Sequence, residues 1–570
     1  MARQRSMAKS KTRAARADAA DTRQAVEARI DTITRAGILA ILVATIVLVC
    51  VVRFRLADVP LERDEGEYAY AGQLILQGIP PYEQAYNMKF PGAYYAYAGI
   101  MAVFGQSAWG IRVGLLVVHL ATMLLVFRLG QRLAGTLAGG LGASVFALLA
   151  IDPWSLGLFA HATHFVTLPI IAALLLMHDA TRAWRFLAAG LLLGAAIVMK
   201  QQAIFLAALA LPIAMRTAGP LTFGRPHPDA LRRLGLVLAG IAAAFALLVG
   251  VLAVAGVLGR FWFWTFQYAS QYVSQIPVSL ATTTLPMAWD YITQATGLWW
   301  YVGVTGLGAL FIARWAPVTR FTLACWFIGA ALAVAPGLYF RPHYFIVLMP
   351  VVGLLGGIAV ASADRAIARA LSPMTARVIV LVGFAVLAGS HVYRQSHFFF
   401  RMTPTEVLRS VYQANPFPES PEVARYLAAH TAPDDRIAVL GSEPQIAFYA
   451  NRKSASGHIY MYPLTEPQPF AARMTEEFKR EIEAARPAYV VFVDAGSSWV
   501  ATLKPDTRIV DWSRAFTASC YTRVGVADIP PTGAGIIRWD ADAIGYEPTS
   551  TSRIFVYRRL TDSGCGDAAR

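Results

Sequence analysis

Long apolar segments recur through most of this chain and limit what it can fold into. Between Ala36 and about Tyr393, apolar runs alternate with short polar connections. Runs of roughly 17 to 25 residues cross a hydrocarbon core of about 30 Å as a helix. Hydrophobic residues make up 56% of the 570 residues and charged residues only 15%, which excludes an ordinary soluble protein. Since a helix satisfies its own backbone hydrogen bonds in lipid, we predict an α-helical polytopic membrane protein.

The apolar pattern predicts about eleven transmembrane helices. Their approximate bounds are 36–53, 109–129, 137–152, 165–179, 184–199, 202–216, 234–257, 295–313, 320–336, 344–362 and 376–393. Short loops rich in arginine remain in the cytoplasm, so the loops that lack this enrichment are predicted to face outward. An odd number of spans places the two chain ends on opposite sides of the membrane.

Three regions follow from this pattern. Residues 1–35 form a basic cytoplasmic tail, residues 36–393 a transmembrane domain with a long first outward loop at 54–108, and residues 394–570 an extracytoplasmic α/β domain. The net charge of +15 comes mostly from the tail and the short inward loops, so it indicates topology and no nucleic acid partner. Cys520 and Cys565 fall in the outward domain, where an oxidising compartment would allow them to pair.

The last region changes to a soluble pattern with more charge and proline. Strands are predicted at 436–440, 489–493 and 554–558, and amphipathic helices at 421–430 and 476–485.

Acidic residues collect at the start of a helix predicted in the first outward loop. The segment Glu62 to Tyr70 contains Asp64, Glu65 and Glu67, and the helix ends near Gly78. Asp64 and Glu67 also have the spacing of a helix capping box, which needs no catalysis. Glu65 is not explained by such a cap; its alternative is simple solvation at the loop surface.

Cations are predicted on the same outward face. Only two lysines, Lys89 and Lys200, occur between Ala36 and Tyr393, and both fall on the outward side. Arg341, His343 and Tyr344 follow the end of a predicted span, and together these side chains suit an anionic lipid phosphate. The alternative is that the lysines and Arg341 anchor the chain at the lipid headgroups.

Two histidines and several aromatic residues complete the candidates. His161 and His164 line the same outward cavity or bind a metal, although their spacing also fits a packed pair. Tyr95 lies with Tyr94 and Tyr97 in the short aromatic segment 90–104, which we predict to lie at the membrane interface as a helix. The aromatic run at 261–264 is likewise predicted to lie at the membrane interface.

The first outward loop resembles that of a known family. Arg63-Asp64-Glu65, followed by Lys89-Phe90-Pro91-Gly92 and tyrosines before a short aromatic helix, is similar to the glycosyltransferases of the GT-C fold that use lipid-linked sugars. The protein O-mannosyltransferase and lipid A aminoarabinose transferase branch is the most similar. Only this loop is motif-specific, and family members often have Lys-Pro-Pro where this chain has Lys89-Phe90-Pro91.

This resemblance implies a reaction and a location. A sugar on polyprenyl phosphate would pass to an envelope lipid, glycan or protein acceptor outside the cytoplasm of a bacterial inner membrane. It implies that Asp64 and Glu65 sit at the reaction centre, sometimes with a divalent metal ion as the one cofactor. Glu67, Lys89, Tyr95, His161, His164, Lys200, Arg341, His343 and Tyr344 are the candidate substrate-binding residues. The rival interpretation is a transporter or lipid flippase, which needs charges near the bilayer midplane.

Overall fold

The computed structural model of the protein describes residues 2–216, 229–499 and 505–560, with side chains from residue 24 onward. The part that precedes residue 395 is helical. Its α-helices are α1 Ala2–Arg55, α2 Arg63–Leu76, α3 Gly92–Phe104, α4 Ala108–Leu149, α5 Ala162–Met177, α6 Ala183–Met199, α7 Ala203–Arg216, α8 Ala230–Val254, α9 Leu258–Trp262, α10 Ala269–Val273, α11 Ala281–Ile312, α12 Pro317–Val334, α13 Met349–Ile367 and α14 Pro373–Arg394. A π-helical segment, Phe263–Tyr268, joins α9 to α10, and 3-10 turns lie at Val278–Leu280, Pro336–Leu338 and Pro342–Val347.

Seven helices in the described part of the chain are long and apolar enough to cross a membrane. The helical membrane fold is therefore confirmed, whereas the count of eleven spans stays a prediction. Two predicted spans, 109–129 and 137–152, both lie in the segment α4, where Gly135 leaves the helical conformation with a φ of 89° and divides the segment into two helices. Three more predicted spans correspond to α5, α6 and α7, which are apolar helices of fewer than 18 residues.

Glycines bring α6 and α8 into close contact. A β-carbon added at Gly190 would lie 2.1 Å from the carbonyl oxygen of Val237, and one at Gly240 would lie 2.2 Å from that of Leu187. Helix association in lipid depends on close packing, since the surrounding lipid tails are as apolar as the helices themselves. Any side chain at these two positions would push the helices apart.

The C-terminal region folds as a mixed α/β domain. Its helices are α15 Ser396–Phe400, α16 Pro404–Tyr412, α17 Ser420–Ala429, α18 Pro444–Ala450, α19 Tyr462–Thr465, α20 Ala471–Ala485, α21 Gly496–Trp499, α22 Arg508–Cys520 and α23 Ala541–Ile544. Its strands are β1 Arg436–Leu440, β2 Lys453–Ser454, β3 Tyr489–Asp494, β4 Tyr521–Ile529, β5 Ile536–Trp539 and β6 Ser552–Arg559. The three strands and two helices predicted here are all present.

The six strands form one sheet in the order β2-β1-β3-β6-β4-β5. β1 pairs in parallel with β2 and β3, whereas β6 runs antiparallel to β3 and β4. Cys565 lies outside the described residues, so its pairing with Cys520 stays a prediction.

The C-terminal domain docks on α2. The hydroxyl of Tyr70 accepts a hydrogen bond from the Ser454 amide at 2.7 Å, and that of Tyr449 accepts one from the Leu61 amide at 2.8 Å. Gly66 faces α18 so closely that an added β-carbon would lie 2.7 Å from the Gln445 β-carbon. The start of the first outward loop is thus held between the membrane helices and the C-terminal domain.

The interfacial interpretation of the aromatic residues is wrong for several of them. Tyr94 and Tyr97 on α3 are buried and pack against Tyr68 at ring distances of 6.1 and 5.4 Å. In the second aromatic run Trp262 is 55% exposed, but Trp264 is buried. These rings are covered because α2 and the C-terminal domain close over the first outward loop, which no local pattern reveals.

Candidate functional site

The N-terminus of α2 presents the acidic cluster. Glu62 is the N-cap: its side chain accepts a hydrogen bond from the Glu65 amide, and the Glu65 side chain accepts one from the Glu62 amide. The capping box is therefore Glu62 with Glu65, and the predicted box of Asp64 with Glu67 is wrong. The helix begins at Arg63, so Asp64 and Glu67 lie within it and are free for other contacts.

Glu65 is fully buried, with 0% exposure, and its carboxylate is saturated with donors. The Arg112 guanidinium donates to both of its oxygens, at 2.8 and 2.7 Å. The Ala160 amide donates a further hydrogen bond at 2.6 Å. A buried ion pair with this geometry joins α2, α4 and the segment before α5, so it fixes the acidic end of α2 in place.

Lys89 joins the two remaining carboxylates. Its Nζ donates to Asp64 Oδ1 at 2.8 Å and to Glu67 Oε2 at 2.6 Å. The Tyr94 hydroxyl donates to the other Glu67 oxygen at 2.6 Å, and the Tyr68 ring lies 4.6 Å below the ammonium. Glu67 is completely buried, whereas the Asp64 side chain keeps 25% exposure. Of the two carboxylates that Lys89 contacts, Asp64 is thus the one that remains accessible.

The surroundings of Asp64 and Glu67 shift the pKa values of these two carboxylates in opposite directions. Burial opposes ionisation of Asp64, but the charge of Lys89 outweighs it and holds the pKa of Asp64 well below its usual range. Burial raises the pKa of Glu67 above its usual value in spite of Lys89. For Lys89, burial is outweighed by the two carboxylates, and its pKa is raised well above normal. Asp64 and Lys89 are therefore charged at every physiological pH.

Two stacked imidazoles face Oδ2, the carboxylate oxygen of Asp64 that Lys89 does not contact. The rings of His161 and His343 lie 4.2 Å apart with an interplanar angle of 11°. His161 Nδ1 is 3.7 Å and His343 Nε2 is 3.9 Å from Asp64 Oδ2. Burial lowers the pKa of His161 to about 4 and that of His343 well below normal, so both rings are neutral at neutral pH. Both ring nitrogens of buried His161 lack a hydrogen-bond partner in the described residues.

Lys200, Tyr344 and Arg341 form the cationic side of the site. Lys200 follows the end of α6, and its Nζ lies 4.3 Å from the centroid of the Tyr344 ring. Burial lowers the pKa of Lys200 to about 7, and the charges of Lys89 and Arg341 act in the same direction. Arg341 is exposed, and Tyr272 raises its pKa above normal. Neither cation forms a salt bridge with any carboxylate that the structure describes.

The structure thus gathers most of the predicted site residues, with two exceptions. His164 is buried one turn into α5, where Arg53 and His161 are its electrostatic neighbours, and it has no contact with Asp64 among the described side chains. Tyr95 is half-buried and makes none of the polar contacts of this cluster; Tyr94 contacts Glu67 instead.

The C-terminal domain contributes residues that sequence reasoning missed. The Tyr460 hydroxyl lies 3.3 Å from Asp64 Oδ1 and donates to the Arg63 carbonyl at 3.1 Å. Arg63 itself forms a salt bridge with the buried Glu443 at 2.6 Å. These residues lie almost 400 positions apart in the chain, and no periodicity or motif connects them. Arg112 was missed because a lone arginine near the start of a predicted span has the signature of an interface anchor.

Comparison with known proteins gives the same fold. Residues 88–244 match the family model described as dolichyl-phosphate-mannose-protein mannosyltransferase. No curated protein sequence matches the chain significantly. ArnT from Cupriavidus metallidurans bound to undecaprenyl phosphate is similar in structure with a TM-score of 0.57, at 17% identity over 91% of this chain and 98% of that chain.

Two further structures agree with this match. ArnT from the same organism in the apo state gives a TM-score of 0.54 at 18% identity, over 79% of this chain and 92% of that chain. The Archaeoglobus fulgidus oligosaccharyltransferase in the apo form gives 0.50 at 12% identity, over 90% of this chain and 75% of that chain. The chain therefore has the fold of GT-C glycosyltransferases, as the resemblance in its first outward loop indicated.

Proposed function

We propose that this protein is a membrane glycosyltransferase that moves a sugar from a polyprenyl-phosphate donor to an acceptor outside the cytoplasm. One observation carries the proposal: the ionised carboxylate of Asp64, which is 25% exposed, lies within electrostatic range of Lys200, which in turn lies near Arg341, and neither cation forms a salt bridge among the described residues. Glycosyl transfer from a phosphate needs these two kinds of charge, on the acceptor side and on the leaving-group side. The shared fold with ArnT, whose structure contains undecaprenyl phosphate, supports it.

Asp64 is the proposed catalytic residue. Its Oδ1 is held by Lys89, while Oδ2 faces His161 and His343 without a close donor. An ionised carboxylate in this position accepts the proton of the acceptor hydroxyl or amine as it attacks. It also stabilises the positive charge that develops on the sugar as the bond to phosphate breaks.

Lys200 and Arg341 are the proposed phosphate ligands. The bond between the anomeric carbon and the phosphate oxygen breaks, and the phosphate leaves with an added negative charge. Two cations fixed near this oxygen stabilise that charge in the transition state more than in the ground state. Tyr344 positions the Lys200 ammonium through its ring.

Glu65 and Glu67 have a different proposed role from Asp64. Both oxygens of Glu65 accept hydrogen bonds, from Arg112, the Ala160 amide and the Glu62 amide of the capping box. Glu65 therefore positions α2 and has no oxygen left for a substrate. Glu67 accepts a hydrogen bond from the Lys89 ammonium and thereby orients this ammonium toward Asp64. We propose both as positioning residues, and Lys89 as the cation that keeps Asp64 ionised.

The same site has the donors for a divalent metal ion. Ligand atoms of Asp64, His161 and His343 lie within 4.8 Å of one another. Two atoms that bind one ion at about 2.0 to 2.2 Å lie at most about 4.4 Å apart, so the three side chains would have to close slightly on the ion. Neutral imidazole with carboxylate is a common ligand set. A bound ion would supply positive charge next to the donor phosphate.

The proposed function includes a location for the site and a class of transferred sugar. Because short loops rich in arginine stay in the cytoplasm, we propose that Asp64 lies on the outer side of a bacterial inner membrane, with the C-terminal domain on the same side. The transferred group is a hexose or pentose. Because Tyr460 contacts Asp64, the C-terminal domain completes the site from the side opposite the membrane helices.

A transporter or flippase fits this arrangement less well. Transport requires charges near the bilayer midplane, on helices that are broken there. The charges of this site lie at the start of α2, in the loop that carries Lys89, at the end of α6 and in the segment before α13.

The decisive experiment compares envelope molecules by intact mass. Cells that lack the protein are complemented with the wild type, with Asp64→Asn, or with Asp58→Asn, which changes an exposed acid in the same loop. We expect a glycolipid or glycoprotein to gain one sugar mass with the wild type and with Asp58→Asn, but not with Asp64→Asn. Equal products from all three would overturn the catalytic assignment, and unchanged masses in the absence of the protein would overturn the transferase itself.

A further inference from the structure

A second cationic cavity lies outside the site around Asp64. It has a volume of about 370 Å³ and opens between the first outward loop, the segment after α9 and the C-terminal helix α20. The residues that matter here are Arg260, Arg473 and Arg480, with Glu477, Tyr86 and Trp264. We refer to it as the seam cavity.

The charge of the seam cavity is unbalanced. Three guanidinium groups face one carboxylate, Glu477, which leaves a net charge of about two positive units (three minus one). Glu477 is already engaged, because its oxygen lies 3.2 Å from Nε2 of buried His458. Within the described residues none of the three arginines forms a salt bridge.

Two of the three arginines are held in place by contacts with aromatic rings. Arg473 lies over the Phe263 ring at 4.4 Å, and Arg260 over the Tyr86 ring at 5.5 Å. Arg260 also donates to the carbonyl of Glu83 at 2.9 Å, which fixes its position on the first outward loop. A guanidinium keeps further donors in a rigid fork, which matches the geometry of phosphate oxygens.

The wall of the cavity connects it to the site around Asp64. Tyr86 and Trp264 stack at 5.6 Å, and both contact the His458 ring, at 5.0 and 5.7 Å. Only two residues further along the chain, Tyr460 contacts Asp64. The Cα atoms of His458 and Tyr460 lie at most about 7 Å apart, so the segment that packs against the wall of the seam cavity continues directly into the residue that contacts Asp64.

We infer that the seam cavity binds a phosphate group carried by the acceptor, the second substrate of the transfer. This inference rests on the proposed function, because it assigns the seam cavity to the acceptor and the Lys200 and Arg341 pair to the donor. The phosphate belongs either to a lipid anchored in the membrane or to a soluble molecule, and both present the same chemistry to the three arginines.

The test uses inorganic phosphate as the probe and the full-length protein in phosphatidylcholine nanodiscs. Binding is measured by calorimetry for the wild type, for the double variant Arg473→Gln with Arg480→Gln, and for Lys200→Gln with Arg341→Gln. Arg425→Gln is the control, since it changes an exposed arginine on α17 that does not line the cavity. We expect two classes of phosphate site in the wild type and in the control.

Each double variant should lose one of the two classes of phosphate-binding site. The seam variant should weaken one class about tenfold or more, since a hydrogen bond to a charged group contributes that much or more to affinity, and the lysine variant should weaken the other. Replacing Arg473 and Arg480 with lysine instead of glutamine should restore part of the affinity, because the charge remains while the forked geometry is lost. Unchanged phosphate binding in the seam variant would overturn this inference.

A second arm identifies the source of the phosphate. Discs that contain phosphatidylglycerol should compete with inorganic phosphate at the seam if the acceptor is a membrane lipid, and should not compete if the acceptor is soluble. Asp64→Asn serves to separate the two proposals, because it should abolish transfer and keep both phosphate classes. A protein that binds phosphate at the seam but retains transfer after Asp64→Asn would refute the catalytic proposal alone.

Discussion

Asp64 and Glu65 are adjacent carboxylates with opposite surroundings, and amide substitution should separate their roles. Glu65 has 0% exposure and receives two donors from Arg112 at 2.8 and 2.7 Å. In Glu65→Gln one oxygen becomes a donor that faces another donor, and the buried guanidinium loses its counter-charge. Breaking a buried ion pair costs about 3 to 5 kcal/mol, so we expect a large loss of stability.

Asp64→Asn should behave in the opposite way. The amide oxygen still accepts the hydrogen bond from Lys89, which also keeps Glu67 at 2.6 Å, so the stability change should be about 1 kcal/mol or less. The loss of the carboxylate removes a proton acceptor, which contributes about 100-fold to 10,000-fold to rate. We expect this variant to be folded and almost inactive.

Both quantities can be measured on purified protein. Tryptophan fluorescence during thermal unfolding in detergent gives relative stability, and sugar transfer below the melting transition gives activity. Arg112→Met, alone and with Glu65→Gln, completes a double-mutant cycle in which the two changes should be strongly non-additive. If Glu65→Gln unfolds at the same temperature as the wild type and yet fails to transfer sugar, Glu65 takes part in the chemistry, and its assignment as a positioning residue is refuted.

Three further predictions concern the same site and its support. Donor affinity should fall as the pH rises above about 7, because Lys200, which faces Asp64, Lys89 and Arg341, binds phosphate only when protonated; Lys200→Arg should move this decline to higher pH in a KM profile. If a metal ion is required, chelation should abolish transfer, added Zn²⁺ or Mn²⁺ should restore it, and full activity after exhaustive chelation would exclude the site at His161 and His343. Gly66→Ala should cost about 1 to 3 kcal/mol and expose the C-terminal domain to limited proteolysis, because the new methyl group would meet the Gln445 backbone at 2.8 Å; protection equal to the wild type would contradict this docking.

Local patterns in the sequence determined the helices and the candidate charges. Apolar runs identify membrane helices because lipid allows few alternatives. The helix α2, which ends near Gly78, and the strands β1, β3 and β6 also follow from local patterns in the sequence. The small number of outward lysines singled out Lys89 and Lys200, and both reached the site that the structure shows.

Only the tertiary structure decided which of the two acids is buried and which stays accessible. Asp64 and Glu65 are indistinguishable as sequence, yet Arg112 comes from another helix and Tyr460 from the C-terminal domain, and these distant contacts bury one carboxylate and leave the other open. The same holds for Tyr94 and Trp264, which look like interfacial aromatics until α2 and the C-terminal domain cover them. Burial and charge pairing depend on the summed surroundings of a group in three dimensions, whereas periodicity and spacing report only its neighbours along the chain.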